Sequence, residues 1–280
     1  MVGEEAVARG RLSERSEPAR APRPSGAERE VSGSGKHRAN ARSAALSALG
    51  HLPPPVLANE RVLPVAPALT AVFTRTPGLW RGATVVVDAD HAASGAISLA
   101  LALVTEASAA GSWAAIVGVA DLGLLAAAEL GVRLERVALI PDVAPAQWVT
   151  VVGAMLDAVD LVIAHPPPHL RGGDARRLTA RARERGSILI PLRPGRAWAD
   201  GADIRLTVTG GRWDGVGTGE GHLTSRELTV TLGGRGAAAR PRTVRLWLPA
   251  PGGGVAAADA FAGADIDRLP VSTPPLQTAG

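Results

Sequence analysis

The sequence predicts an α/β fold: a mostly parallel sheet flanked by helices, then C-terminal antiparallel strands, with disordered termini. Apolar, β-branched runs alternate with helix-length segments between residues 83 and 192, which is the pattern of βαβ units. Beyond residue 203 the apolar residues alternate with polar ones instead, as they do in antiparallel strands. Both ends of the chain are rich in polar, glycine and proline residues and cannot bury enough apolar surface to order themselves.

The elements follow from these patterns in chain order. Strands are expected at 83–89, 112–120, 136–142, 160–166 and 187–192, and helices at 92–110, 121–131, 145–159 and 173–186. Gly131 is a helix-ending residue and Pro145 a helix-opening one. The segments "IRLTVTGGRWDG", "RELTVTLGGRG" and "TVRLWLP" are expected to form antiparallel strands at one edge of the sheet.

Composition sets the domain boundaries. We expect a disordered segment at 1–40, a possible short helix with a linker at 41–55, a core at 56–250 and a flexible tail at 251–280. The chain has no cysteine, which excludes disulfides and thiolate metal sites. Its N-terminus lacks the apolar core of a secretory signal, and the apolar helix at 92–110 indicates a buried element. We therefore expect a cytoplasmic protein without membrane contact.

The stretch "VVVDADHAASGAISLALAL", residues 85–103, has the strand–loop–helix layout of a phosphate-binding loop. Such a loop needs G-x-x-x-x-G-K-[ST], in which amides cradle phosphate, lysine neutralises it and the hydroxyl holds magnesium. Gly95 fits the second glycine, but Asp90 replaces the first. Ala96 stands at the lysine position and Ile97 at the hydroxyl position. The neighbouring hydroxyls, Ser94 and Ser98, are out of register, and the chain's only lysine is Lys36.

The order of elements over about residues 60–250 resembles the RecA-type ATPase core. That resemblance puts the Walker B acid at His165, inside "AHPPP", and the catalytic glutamate near Val119. It also implies two long DNA-binding loops, where this chain has only "PPPHLRGG" and "RPGRAWADGA". Because this chain departs from the RecA pattern at each of these positions, we expect no ATPase activity, no bound nucleotide cofactor and no DNA binding of the RecA kind.

Two further segments, "EASAAGSWAAIVGVADLGLLAAAELGV" and "RPRTVRLWLP", resemble the ATPase-deficient ImuA-type accessory proteins of the actinobacterial mutasome. This resemblance implies a non-catalytic scaffold in SOS-induced translesion DNA synthesis that is nucleoid-associated when DNA is damaged. It would bind an inactive Y-family polymerase homologue of the ImuB type and, indirectly, a C-family error-prone polymerase. The alternatives are a SulA-like inhibitor of cell division and a DNA-binding recombination factor.

Several surface residues are candidates for partner or DNA contacts. Arg177, Arg181 and Arg185 share one helix face at i, i+4 and i+8, either as a phosphate-contacting stripe or as the helix's solvated back. Apolar residues in the tail are either a docking motif or merely part of a tail: Phe261, Ile266 and Leu269. The short helix around Ala44–Leu49 could mediate self-association.

Metal ligation is the weaker interpretation of the remaining polar residues. Asp88, Asp90 and His91 lie close together, but such groups are common in loops. His165 and His169 are separated by prolines that forbid a helix, so we expect a structural loop and no metal. Tryptophans 113, 148 and 247 fall inside expected elements and are assigned to the core, whereas tryptophans 80, 198 and 213 lie near turns. An exposed tryptophan at a turn would be a candidate partner anchor.

Overall fold

A computed structural model describes residues 62–73, 77–89, 95–193, 198, 201–216, 221–235 and 241–261. Every element below belongs to the unit Val56–Gly280. The disordered segment expected at 1–40, the short helix expected at 41–55 and residues 262–280 of the expected tail lie outside the described residues.

The described residues form eleven strands, five α-helices and three short 3₁₀ helices. The strands are β1 (Val62–Leu63), β2 (Leu79–Trp80), β3 (Val85–Ala89), β4 (Ala114–Val117), β5 (Val137–Ile140), β6 (Leu161–Ala164), β7 (Ile188–Pro191), β8 (Ile204–Val216), β9 (Gly221–Gly234), β10 (Arg242–Trp247) and β11 (Ala256–Ala257). The α-helices are α1 (Ala96–Ala102), α2 (Thr105–Ala109), α3 (Leu124–Glu129), α4 (Trp148–Ala158) and α5 (Gly172–Arg185). The 3₁₀ helices are Pro67–Val72, Leu134–Arg136 and Ala258–Phe261. The predicted α/β class is confirmed.

One half of the sheet is wholly parallel, in the order β5-β4-β6-β7. Its three inner strands are buried along their whole length, because continuous apolar runs can be covered by helices on both faces. Successive strand residues point to opposite faces. Ile116 packs in the cluster that contains α1, α2 and α3, while Val117 packs in the cluster that contains α4 and α5.

The other half is mixed, in the order β11-β10-β9-β8-β3. Strand β3 is parallel to β8, and the remaining pairs are antiparallel. Two isolated parallel bridges, Thr84↔Leu189 and Val87↔Leu192, join β3 to β7. Strand β3 therefore lies between a parallel half and a mostly antiparallel half, with its carboxyl end at the middle of the sheet.

The single helix expected at 92–110 is wrong for its described part, which is broken into α1 and α2. The chain tightens at the junction, where the amide of Val104 donates to the carbonyl of Leu101. Thr105 Oγ1 also donates to the carbonyl of Ala102 at 3.0 Å. Such side-chain bonds compete with the helical ladder.

The tail expected from residue 251 is also wrong for residues 251–261. Strand β11 pairs with β10, and Trp247 Nε1 donates to the carbonyl of Ala258 at 3.3 Å. The ring of Phe261 meets that of Trp247 edge-on, with 6.3 Å between centroids. These contacts add a strand and an aromatic pair to the edge of the mixed half.

Among the described residues, no helix is both long and apolar enough to cross a membrane.

Candidate functional site

The phosphate-loop position lies at the carboxyl edge of the sheet, where α/β proteins usually bind ligands. Gly95 opens α1 and has the left-handed backbone expected there, with φ of 92°. Residues with a Cβ avoid this conformation. Asp90 and Ser94, which belong to the same loop, lie outside the described residues. The geometry of the site is therefore taken from Gly95 and the elements around it.

The two residues after Gly95 present apolar side chains toward the protein interior. Ala96 is 3% exposed and belongs to the main core cluster. Ile97 is partly buried and packs against the same cluster. In a working phosphate loop these positions supply an ammonium and a hydroxyl. Here their methyl and butyl groups stabilise the core instead, so they offer neither charge for phosphate nor a magnesium ligand.

Arg226, on β9, occupies the space in front of Gly95. A Cβ built on Gly95 would lie 2.8 Å from Arg226 Nη1 and 3.1 Å from its Cζ. The guanidinium carbon also sits 5.1 Å from the centroid of the Trp213 ring, in cation–π contact. Arg226 is only 7% exposed, and this burial lowers the pKa of its guanidinium.

Sequence reasoning missed Arg226, which it treated only as the first residue of a strand. Its approach to Gly95 depends on the pairing of β9 with β8, which sets Arg226 opposite Trp213. Gly211 adds to the fit, since a Cβ there would lie 3.2 Å from Arg226 Nε. The sequence does show an arginine and a tryptophan on two segments expected to be antiparallel strands. That they lie opposite each other follows only from the register of the two strands.

His165, which the RecA resemblance puts at the Walker B position, lies directly after β6, and its amide donates to the carbonyl of Val117 at 2.9 Å. The side chain is half-buried. Burial, helped by the charge of Arg193, lowers the pKa of His165 below its usual value, so the imidazole is neutral at pH 7. Val119, near which the RecA resemblance puts the catalytic glutamate, is 6% exposed and packs in the core. Neither position offers a carboxylate.

Arg193, at the end of β7, has a strained backbone beside this edge. Its φ of 48° is the only positive φ of a non-glycine residue among the described ones. The conformation is held by a 2.7 Å hydrogen bond from its amide to the carbonyl of Val87. Such strain costs of order 1–3 kcal/mol and persists only where surrounding structure enforces it. The bond ties the turn after β7 to β3.

Both carboxylate oxygens of Asp88 contact groups of the protein itself. Its Oδ2 lies 3.3 Å from Arg205 Nη1, and its Oδ1 accepts from the amide of Ala89 at 2.9 Å. Its expected neighbour His91 lies outside the described residues, and His169 is exposed in a separate turn. The described part of the chain contains no group of three or more metal-ligating side chains placed around one point.

The arginine face of α5 is matched by carboxylates. Arg181 donates two hydrogen bonds to the carboxylate of Asp157 on α4, of 2.8 and 2.5 Å, and Arg185 donates a third of 3.0 Å. Arg177 pairs with Asp174 at 3.3 Å. The hydrogen bond from Arg181 is the main reason that the pKa of Asp157 falls to about 2. Two of the three arginines thus tie α5 to α4, and this favours the structural interpretation over a phosphate-contacting stripe.

The other candidate residues divide between core and surface. Trp148 and Trp247 are 2% and 5% exposed, as predicted for core residues, whereas Trp113 is 44% exposed and its core assignment is wrong. Trp113 precedes β4 and is covered on one face by Arg136. Phe261 packs on Trp247 rather than standing free. Ile266 and Leu269 lie outside the described residues.

Two comparisons with known proteins bear on this site. Residues 73–200, a little under half of the chain, match the family model described as the MT3502 N-terminal domain. The uncharacterized protein Rv3395c of Mycobacterium tuberculosis (strain ATCC 25618 / H37Rv) is 38% identical over 146 residues. That alignment covers 50% of this chain and 61% of the mycobacterial protein. The family match includes Gly95 and His165, whereas Arg226 and Trp213 lie beyond it.

Proposed function

We propose that this protein is a non-catalytic, RecA-like scaffold of SOS-induced translesion DNA synthesis, binding an inactive Y-family polymerase homologue of the ImuB type. Strand β3, which leads into the phosphate-loop position, is parallel to both of its neighbours, β7 and β8, and the antiparallel pairs begin beyond β8. That arrangement supports a RecA-type core. The similarity to a mycobacterial protein supports the actinobacterial part of the proposal.

The placement of Arg226 against Gly95 carries the non-catalytic part. Phosphate binding at such a loop depends on close approach to backbone amides at the start of the helix. The guanidinium of Arg226 fills the space beside Gly95 and is itself enclosed by Trp213 and neighbouring strand residues. With Ala96, Ile97 and His165 at the other required positions, the site has lost the parts that bind Mg-ATP.

A scaffold role follows from what the fold retains. Helices cover its core, and the paired arginines of α5 tie that helix to α4. Of the described residues at the expected catalytic positions, His165 and Val119 carry no carboxylate. The ion pairs of Arg181 and Arg185 with Asp157 also reduce the charge that a DNA-binding recombination factor would need. Binding of a protein partner is the activity that remains for such a core.

Calorimetry with Mg-ATP on the full chain tests the loss of nucleotide binding. We expect no saturable heat, and a micromolar dissociation constant would overturn this part of the proposal. Ala96→Lys alone should not restore hydrolysis, because His165 and Val119 still lack the carboxylates that hold magnesium and activate water.

Co-purification tests the partner. The full chain, expressed with the inactive Y-family polymerase homologue from the same genome, should form a stable complex through size-exclusion chromatography. Recovery of a cell-division protein from damaged cells, with no complex with the polymerase homologue, would favour the SulA-like alternative instead.

A further inference from the structure

The outer edge of the parallel half-sheet is an open strand. Strand β5 pairs with β4 on one side, and no strand in the described part of the chain pairs with its other side. All four residues of β5 are only half-buried. An open edge presents unpaired backbone N–H and C=O groups, which makes it a template for an additional strand.

Exposed leucines flank this edge. Leu124 and Leu125 on α3 are 45% and 56% exposed, and Leu134, three residues before β5 begins, is 37% exposed. Helix α3 packs against the 3₁₀ turn Leu134–Arg136 that leads into β5. We term these three leucines, with the edge of β5, the β5-edge patch. Exposed apolar side chains on elements that pack beside an open strand edge commonly mark an interaction site.

One face of β5 packs in the same core cluster as α3, the helix that carries Leu124 and Leu125. Val137 and Leu139 pack against the same core cluster as Ala127, the buried residue of α3. They therefore lie on the side of the sheet that α3 covers. A strand added to β5 would place alternate side chains against this side, beside the leucines, while its backbone pairs with the edge.

The charges around the patch are mainly acidic. Exposed carboxylates lie on or next to its elements in the chain, at Asp121, Glu129, Glu135 and Asp142. Of the nearby cations, Arg136 is stacked over Trp113, which leaves Arg133 as the exposed one. Complementary charge selects partners and speeds their association. The occupant that fits is an extended apolar segment with arginine or lysine residues at its flanks.

We propose that the β5-edge patch is the docking site for such a segment of the polymerase-like partner, which adds to β5 as a further strand. The inference rests on the proposed function, and it specifies where and by what chemistry the complex forms. Backbone pairing supplies affinity in this mode of recognition, and side-chain pockets supply specificity.

The test compares matched leucines in the full chain. The double variant Leu124→Ser/Leu125→Ser removes the apolar part of the patch, and Leu223→Ser is the control because Leu223 is 55% exposed on β9, close to the 56% of Leu125. Affinity for the purified polymerase homologue is measured by calorimetry. The double variant should bind about tenfold more weakly or worse, and Leu223→Ser should bind as the wild type does.

Charge reversal provides an independent measurement, insensitive to apolar packing. Glu135→Arg/Asp142→Arg should weaken binding of the homologue and reduce the dependence of affinity on salt. Melting temperatures of all variants should match that of the wild type. Should Leu124→Ser/Leu125→Ser melt early, this charge-reversed pair decides the question.

The outcomes separate the two proposals. If the wild type fails to bind the homologue, the proposed function is wrong and this docking site is wrong with it. If the wild type binds and the patch variants bind equally well, the docking site is wrong while the function stands. A third outcome is that the wild type self-associates and the substitutions lower its molar mass in light scattering to that of a single chain while the homologue stays bound. In that case the patch joins copies of this chain and the inference is overturned.

Discussion

Gly95→Ala tests the contact that closes the phosphate-loop position. Gly95 has φ of 92°, and an added methyl group would lie 2.8 Å from Arg226 Nη1 and 3.3 Å from Leu228 Cδ1. Gly131 has φ of 100° with nothing within 4 Å of the same methyl position. The pair therefore shares the backbone strain and differs in the contacts with Arg226 and Leu228, which makes Gly131→Ala the matched control.

The magnitudes follow from these two terms. The left-handed backbone costs an alanine about 1–2 kcal/mol, offset by about 0.4–1 kcal/mol through the less flexible unfolded chain. Gly131→Ala should therefore lower the free energy of unfolding by about 1 kcal/mol. Gly95→Ala adds the displacement of a buried guanidinium, for which overpacking costs of about 1–3 kcal/mol are typical. Its total should be about 2–4 kcal/mol.

Urea unfolding gives the free energy of unfolding of Gly95→Ala, Gly131→Ala, Arg226→Ala and the double variant Arg226→Ala/Gly95→Ala. In the Arg226→Ala background the cost of Gly95→Ala should fall to that of Gly131→Ala, a coupling of about 1–3 kcal/mol. Equal costs for Gly95→Ala and Gly131→Ala would refute the placement of Arg226 against the loop. An unchanged cost in the Arg226→Ala background would do the same.

Two further predictions concern α5 and the C-terminal residues. The pKa of Asp157 is lowered from 3.8 to about 2 by Arg181 and Arg185, so these ion pairs stabilise the fold above about pH 4 and lose their effect as the pH falls toward 2. In Asp157→Asn the urea midpoint should be less sensitive to pH between 4 and 2, and an unaltered profile would contradict this. Deleting residues 256–280 should destabilise the protein by about 1–3 kcal/mol more than deleting 262–280, because only the longer deletion removes the Phe261–Trp247 contact and the bond to Ala258. Equal melting temperatures for the two truncations would show that residues 256–261 add nothing to the fold.

The alternation of strands and helices was readable because long apolar runs have few alternatives. "ATVVVDA" and "SILIPL" are too short for buried helices and too apolar for loops, and both form strands. The ends of helices and strands are harder to predict, because they depend on local hydrogen bonds such as that from Thr105 Oγ1 to the carbonyl of Ala102. Trp113 illustrates the same limit: it adjoins an apolar strand, but it precedes the first paired residue.

Only the loop residues of the candidate site could be predicted from the sequence. Spacing alone showed that Ala96 and Ile97 stand where lysine and a hydroxyl are needed. The residue that fills the space, Arg226, arrives through the register of β9 on β8 and the pairing of β8 with β3. Composition and local periodicity carry no information on that register, since it is set by long-range packing.

The central position of β3 shapes how the chain acquires its structure during synthesis. The amide of Thr84, next to β3, bonds to Asp203 across 119 residues, and β3 itself pairs fully only with β8. All four strands of the parallel half are translated before β8 emerges from the ribosome. The segment Val85–Val87, which is completely buried at the end, stays without its ladder partner throughout that interval. Because long-range strand pairing forms slowly, we expect this late pairing to slow folding, and we expect the nascent chain to be most prone to aggregation until β8 has been made.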